Sequence, residues 1–426
     1  MKSKVLATAS VVVAIVALLG ASPANAAGAS TPAVVNGTDE VVDLGAYEDA
    51  VGVDEVPQDV PASEVFSRQN AGPTCTPSGE LELCVEMNTE PEPDTPVHGT
   101  DAQARAIVGL PQWCLDAGVT NSFQGTRTSL CGISSGDLTV TRTTNGVVSV
   151  VGTMNFLIYN YIYMDTSNTT WAHQIQVSPT IITGQAAGTQ ISATAACAGG
   201  ACTPVSQSFP TQTPGAMQNA EGEAYWQWVG VAGQQATGLP SWTIRFKAPS
   251  ATNAAALISD VPVPVRCDNA VPGRAIAGCV VPAIAPSIWY DGSSFTEFGA
   301  HVAGAQASGL PGGTTAAPLN RLVNAAAQQA NRNTACPASL PRPTGKSCDE
   351  YPFASTYQGA ALSGGGARTQ SWCQVTVSGT PSAGPAGYSV CMIDAAQNSA
   401  AGSLLNSVLF VPNRVLDSDA FTVRIV

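Results

Sequence analysis

Twelve cysteines, an even number, constrain this chain more than any other feature. They stand as close neighbours: Cys75 and Cys84, Cys114 and Cys131, Cys197 and Cys202, Cys267 and Cys279, Cys336 and Cys348, Cys373 and Cys391. A zinc centre would need C-x-x-C pairs, or histidines interleaved with the cysteines. The sequence has no C-x-x-C, and His98, His173 and His301 do not alternate with cysteine at such spacing. An even count in an exported chain reads instead as a disulfide framework. Pairing between neighbours, which closes short loops, is the expected connectivity. The first residues agree with export. Lys2 and Lys4 precede an apolar run from Val5 to Leu19, and Ala24-Asn25-Ala26 has the form of a cleavage site. Residues 1–26 are therefore expected to be a signal peptide and the protein to be secreted and extracellular.

Charge is scarce and unevenly placed. Charged residues make up 11% of the chain, less than half of the usual share of about 25%. That excludes a charge-rich disordered chain or a coiled coil. The net charge of −13 comes from one segment: residues 27–100 hold 15 acidic residues and only one basic residue, Arg68. This segment also carries runs such as Thr89-Glu90-Pro91-Glu92-Pro93-Asp94. Such composition buries too little apolar surface to offset the entropy of ordering. Residues 27–100 are expected to form an acidic, Pro-rich, extended leader or linker. It is either a solvated tail or a pro-segment whose charge repels or mimics nucleic-acid phosphate. Residues 321–426, by contrast, hold 5 acidic and 7 basic residues, a net of +2.

From about residue 101 the pattern is that of strands. Leu138–Thr143 and Val147–Met154 are β-branched runs joined through Asn145-Gly146, the strongest short hairpin signal. Phe156–Met164, Trp171–Val177, Thr180–Thr183, Gln190–Ala195, Tyr225–Val231 and Ser241–Phe246 continue the series. Short strands separated by Gly, Pro and Thr clusters predict a sandwich-like, β-rich domain of unknown role over 101–315. The pattern changes near Pro318. Leu319–Ala330 is Ala-rich and free of breakers, which predicts a helix, and Ala401–Phe410 predicts another. Strands are expected at Ser371–Val377, Tyr388–Ile393 and Phe421–Val426. Residues 316–426 thus read as a small α+β domain.

Familiar catalytic signatures are missing: no G-x-S-x-G, H-E-x-x-H or G-x-x-x-x-G-K-[ST] occurs. Residues 316–426 contain no histidine, so proton transfer there is expected to use carboxylates, metal-activated water, or Lys and Arg. Within Cys348-Asp349-Glu350-Tyr351-Pro352-Phe353-Ala354-Ser355-Thr356 two adjacent carboxylates follow a cysteine. The pair is either a solvated turn or a site that holds a divalent cation and orients water. Further on, Gln397-Asn398-Ser399-Ala400-Ala401-Gly402-Ser403 leads from a strand into a helix. Asn398 there is either a helix cap or a neutral oxygen donor to a hard cation.

These two motifs together resemble the NucA/NucB family of secreted deoxyribonucleases. The likeness runs on into Arg414-Val415-Leu416-Asp417 with Asp419, Phe421 and Val423, and covers about residues 330–426. It implies a small α+β nuclease-like domain that hydrolyses DNA phosphodiesters without sequence specificity, using a divalent metal, Mg2+ or Mn2+. An aspartate would stand where related ββα-metal nucleases use a histidine base. Carried onto this chain, Asp349 is the base that activates water, Glu350 orients it or supports the metal, and Asn398 is the metal ligand. Arg332 and Arg414 are candidates for holding the phosphate. The chain departs from the family pattern in having Ser347-Cys348 where short members carry Asp-Arg, and Gln358-Gly359-Ala360 where they carry Glu-Gly-Gly. Both departures bear on metal binding. The rival expectation is an extracellular binding or structural protein whose nuclease-like domain is degenerate.

Overall fold

The Asn145-Gly146 dipeptide makes the turn expected of it. Both residues have positive φ, 53° and 80°, as a two-residue hairpin turn requires. It joins two long strands, Ser129–Thr144 and Val147–Asp165. The structure is a computed structural model and describes residues 43–60, 72–88, 108–377 and 383–426. The expected signal peptide lies outside the described residues.

Around that hairpin an antiparallel sheet of nine strands assembles in the order Thr203–Ser208, Ala220–Gln227, Asn168–Gly184, Val147–Asp165, Ser129–Thr144, Leu81–Met87, Thr74–Ser78. Phe123–Thr126 also pairs with Ser129–Thr144, and Gln58–Val60 with Phe123–Thr126. A second, five-stranded sheet is organised by Gln235–Lys247, which pairs with Gln190–Ala198, Ala255–Asp260 and Val265–Asp268. Alternation sets the packing. Leu81, Leu83, Val85 and Met87 point inward from one sheet, and Trp242, Ile244 and Phe246 from the other. The Phe156 and Phe246 rings stack at 4.8 Å within this core, where truncating either to alanine costs about 3–5 kcal/mol. Strand Val147–Asp165 is buried on both faces at its centre. Leu157, Tyr159 and Tyr161 pack away from the main core, against Cys114, Val119, Cys131 and Ile133. The β-rich reading of this part agrees with the structure.

The acidic segment does not run as an extended leader through its described residues. Thr74–Ser78 and Leu81–Met87 are strands of the large sheet. Val51–Asp54 pairs with Ser287–Tyr290 at the edge of a four-stranded sheet further along the chain. The apolar positions of Leu81–Met87 alternate with Glu82 and Glu86, so the charge lies on the outer face of an ordinary half-buried strand.

That four-stranded sheet runs Val51–Asp54, Ser287–Tyr290, Ala420–Ile425, Leu319–Asn320. With a three-stranded sheet, Lys346–Tyr351, Tyr388–Asp394 and Ala367–Arg368, it anchors the C-terminal unit. Its core joins Ile288, Tyr290, Phe295, Phe298 and Val302 to Leu404, Leu409, Phe421 and Val423. The second core therefore begins well before residue 316. Three helices belong to it: Thr296–Ala307, Ala325–Ala335 and Ala395–Leu404.

Several expected elements shift. Leu319 is a fully buried strand residue rather than a helix start. The helix begins after Asn324, whose side chain accepts from the Ala327 amide at 3.0 Å. The last helix starts at Ala395 and passes into wide turns over Leu405–Phe410. Ser371–Val377 is not a strand: Cys373 is bonded to Cys391 there, and Ala367–Arg368 takes the ladder position beside Tyr388–Ser389. All six neighbouring cysteine pairs are disulfides: Cys75–Cys84, Cys114–Cys131, Cys197–Cys202, Cys267–Cys279, Cys336–Cys348 and Cys373–Cys391.

Candidate active site

Strand Lys346–Tyr351 carries the two carboxylates into a cleft of about 680 Å³. It is fixed on three sides. Tyr388–Asp394 pairs with it along its whole length, with Asp349 opposite Cys391. The Cys336–Cys348 disulfide ties it to the end of helix Ala325–Ala335. Lys346 is paired with Glu297 on helix Thr296–Ala307. Asp349, Glu350, Asn398, Arg332, Arg342, Arg321 and Ser347 all line the cleft. Four of the residues singled out by sequence, Asp349, Glu350, Asn398 and Arg332, are thus brought together.

Asp349 is 5% exposed. Its Oδ2 is 2.7 Å from Nδ1 of His301, and Nε2 of that ring is 2.9 Å from the Ser389 hydroxyl. A histidine therefore does touch the site, contrary to the expectation drawn from residues 316–426. It comes from helix Thr296–Ala307, upstream of the boundary assumed. The row Ser389, His301, Asp349 has the connectivity of a hydrolase triad, but Ser389 is 1% exposed and does not line the cleft. Buried away from the cleft, its hydroxyl is not placed to attack a substrate bound there.

Burial first, and then the charge of Asp349, push the Glu350 carboxyl up to about 7, against the opposing pull of Arg332. Asn398 is not the helix cap. Asp394 caps that helix, accepting from the Gln397 amide at 3.0 Å. Asn398 sits in the first turns and donates from Nδ2 to Ser347 Oγ at 2.8 Å and to the Cys348 carbonyl at 3.2 Å. Both bonds use the nitrogen, which leaves Oδ1 as the acceptor end of the amide.

The cationic residues divide sharply. Arg332 and Arg342 are exposed at the cleft. Arg321 is buried, its guanidinium 4.4 Å from the centre of the Phe410 ring. Arg414 is fully buried and does not line the cleft: it pairs with Asp268 and donates to the carbonyls of Thr166 and Ile276 at 2.9 Å. It joins the C-terminal unit to the sandwich and is not available to phosphate. Gln358, which stands where short family members carry Glu, exchanges two hydrogen bonds with Asn320 at 2.9 and 2.8 Å and also lies outside the cleft.

The loop after the carboxylates is held by buried Asn331, which donates to the Ala354 and Thr356 carbonyls and accepts from the Ala361 amide. A Cβ at position 359 would sit 2.2 Å from the Asn331 amide nitrogen, so only glycine fits there. Residues 304–424 match the family model described as deoxyribonuclease NucA/NucB. No curated protein and no solved structure gives a significant match. The NucA/NucB match covers Asp349, Glu350, Asn398 and Arg332, and it stops short of His301. The matched family is described as one of deoxyribonucleases.

Among the described residues no three His, Cys, Asp or Glu side chains come together as a metal cage. The cleft nevertheless offers hard oxygen donors: the Glu350 carboxylate, Asn398 Oδ1 and the Ser347 hydroxyl. Burial, and then the neighbouring Asp349 charge, disfavour the ionised Glu350 carboxyl, and a divalent cation beside it would favour that form. Mg2+ in particular takes one or two carboxylates and fills its shell with water and substrate phosphate. The donor set fits such an ion.

Histidine 301 and Ser389 were missed because they are separated from Asp349 in sequence and belong to no motif. The only sequence signal was the rarity of histidine, three in 426 residues.

Proposed function

We propose that this protein is a secreted, divalent-metal-dependent endonuclease that hydrolyses phosphodiester bonds of extracellular DNA without sequence specificity. The observation that carries this reading is the convergence of Asp349, Glu350, Asn398 and Arg332 on one cleft within the NucA/NucB match. Asp349 accepts the proton of the attacking water, the oxygen of which forms the new bond to phosphorus as the bond to the leaving oxygen breaks, and the leaving oxygen takes a proton from solvent. Glu350 and Asn398 would hold Mg2+ or Mn2+. When bound, the cation supplies Lewis-acid stabilisation of charge on the phosphoryl oxygens. Arg332 holds the phosphate, and Arg342 is a second cation beside it. Six disulfides and the N-terminal apolar run support export to an oxidising compartment.

The test is nicking of supercoiled plasmid by the mature protein with Mg2+ or Mn2+ against EDTA, alongside Asp349→Asn. Cation-dependent nicking that falls by about 100-fold or more in the variant is expected, as for loss of a general base. Absence of nicking by folded wild-type protein would favour the rival reading, a binding protein with a degenerate nuclease-like domain.

A further inference from the structure

Asp349 is held by a side chain that the family match does not include. His301 lies on helix Thr296–Ala307, fully buried, between Asp349 on strand Lys346–Tyr351 and Ser389 on strand Tyr388–Asp394. The two strands are paired, so the aspartate and the serine are fixed relative to each other by the ladder. The helix is fixed as well. Gln370 donates to the His301 carbonyl at 3.0 Å, and Gln397 accepts the Glu297 amide at 2.9 Å.

The protons in this row follow from what each group can do. An ionised carboxylate only accepts, so Nδ1 of His301 must carry hydrogen to bond Asp349 Oδ2. In the neutral ring Nε2 is then an acceptor, and the Ser389 hydroxyl donates to it. The carboxylate thus selects the tautomer, and the serine hydroxyl, which can donate or accept, turns to satisfy the far nitrogen. With Oδ2 committed, Oδ1 is the oxygen that Asp349 has left to offer in the cleft.

We propose that His301 is a positioning residue that holds Asp349 by one oxygen, so that the other faces the attacking water, with Ser389 anchoring the ring at its second nitrogen. This rests on the nuclease reading of the cleft and names the device that orients its base. His301 itself touches no substrate.

Two measurements test it. In metal-free wild-type protein, imidazole 15N NMR, assigned with a His301 variant, is expected to show hydrogen on Nδ1 of His301. An unprotonated Nδ1 would overturn the proposal whatever the kinetics. In the nicking assay, His301→Ala is expected to lower kcat by about 10- to 100-fold, the scale of a misplaced reacting group. The KM for DNA should change little, because no phosphate contact is lost. His301→Asn, whose amide nitrogen occupies the place of Nδ1, should recover most of the loss. A folded His301→Ala protein with wild-type kcat, or a loss that folded His301→Asn leaves untouched, refutes the positioning role. If His301→Ala does not fold, the tautomer and the Asn variant decide. Survival of nicking in Asp349→Asn would sink the nuclease site instead, and leave the tautomer result standing.

Discussion

At the scale of single residues, Glu350 reports the state of the cleft. Burial and the Asp349 charge raise its carboxyl to about 7, with Arg332 pulling the other way. A carboxyl raised on folding binds its proton more tightly in the native protein. Its contribution to stability is full below the unfolded value, near the usual carboxylate range, and is lost as pH rises through about 7. His173 acts in the opposite sense, because burial lowers it to about 3, so the wild-type melting curve mixes both. The difference between wild type and Glu350→Gln isolates the carboxyl. In metal-free protein the variant should gain Tm relative to wild type between pH 5 and pH 8, and a difference independent of pH would contradict the assignment. That Asp349, Glu350 and Asn398 would meet in one cleft was legible in sequence because they sit in two short motifs; Arg332, which lines the same cleft, lies outside both. His301 was not legible, since it reaches Asp349 across 48 residues and Ser389 across 88. Arg414 misled for the converse reason: its neighbours in sequence belong to the nuclease-like unit, but its side chain is spent on Asp268.

At the scale of elements, local chemistry foretold what local chemistry decides. The Asn145-Gly146 hairpin and the alternation of Ser241–Phe246 were readable because turn type and period are properties of adjacent residues. Helix Thr296–Ala307 was invisible: it has no side-chain cap of its own, and Gly299 and Gly304 interrupt its Ala-rich run. Its first amides are satisfied from another element, by Gln397 Oε1 at 2.9 and 3.3 Å. Glu297 of that helix in turn accepts the Asp394 amide at 2.6 Å, and Asp394 caps the helix carrying Gln397 and Asn398. The two helix starts stitch each other. Asp394→Ala should therefore cost about 1 kcal/mol as a lost cap, measured by denaturant unfolding. Because the same helix start places Asn398 on Ser347, this variant should also weaken Mn2+ binding in a direct titration. Unchanged Mn2+ affinity would show that the strand alone fixes Asn398.

At the scale of the whole molecule, the sandwich and the nuclease-like unit form one charge-linked body. Arg127 and Arg266 of the sandwich each reach Asp419 at 2.6 Å and the Arg414 carbonyl at 3.1 and 2.6 Å. Arg414 answers by pairing with buried Asp268. The Val411–Asp419 stretch gripped in this way also accepts from the Arg321 guanidinium through the Val415 carbonyl, and Arg321 lines the cleft over Phe410. A continuous set of contacts thus runs from the sandwich to the site. Within the acidic segment, Val51–Asp54 and Leu81–Met87 belong to the same body, so removing those residues would strip strands from both halves. Net charge summed over segments had suggested a separable leader, because charge counts do not register which face of a strand bears the charge. The coupling makes a specific demand. Asp268→Asn leaves the fully buried Arg414 guanidinium without its counter-charge, a loss of about 3–5 kcal/mol for a buried pair broken on one side. Denaturant unfolding should show that loss. At temperatures where the variant stays folded, nicking should also fall, because the loop that holds Arg321 has lost its clamp. Full nicking by a variant that is strongly destabilised would show that the sandwich supports the fold of the C-terminal unit without shaping its cleft.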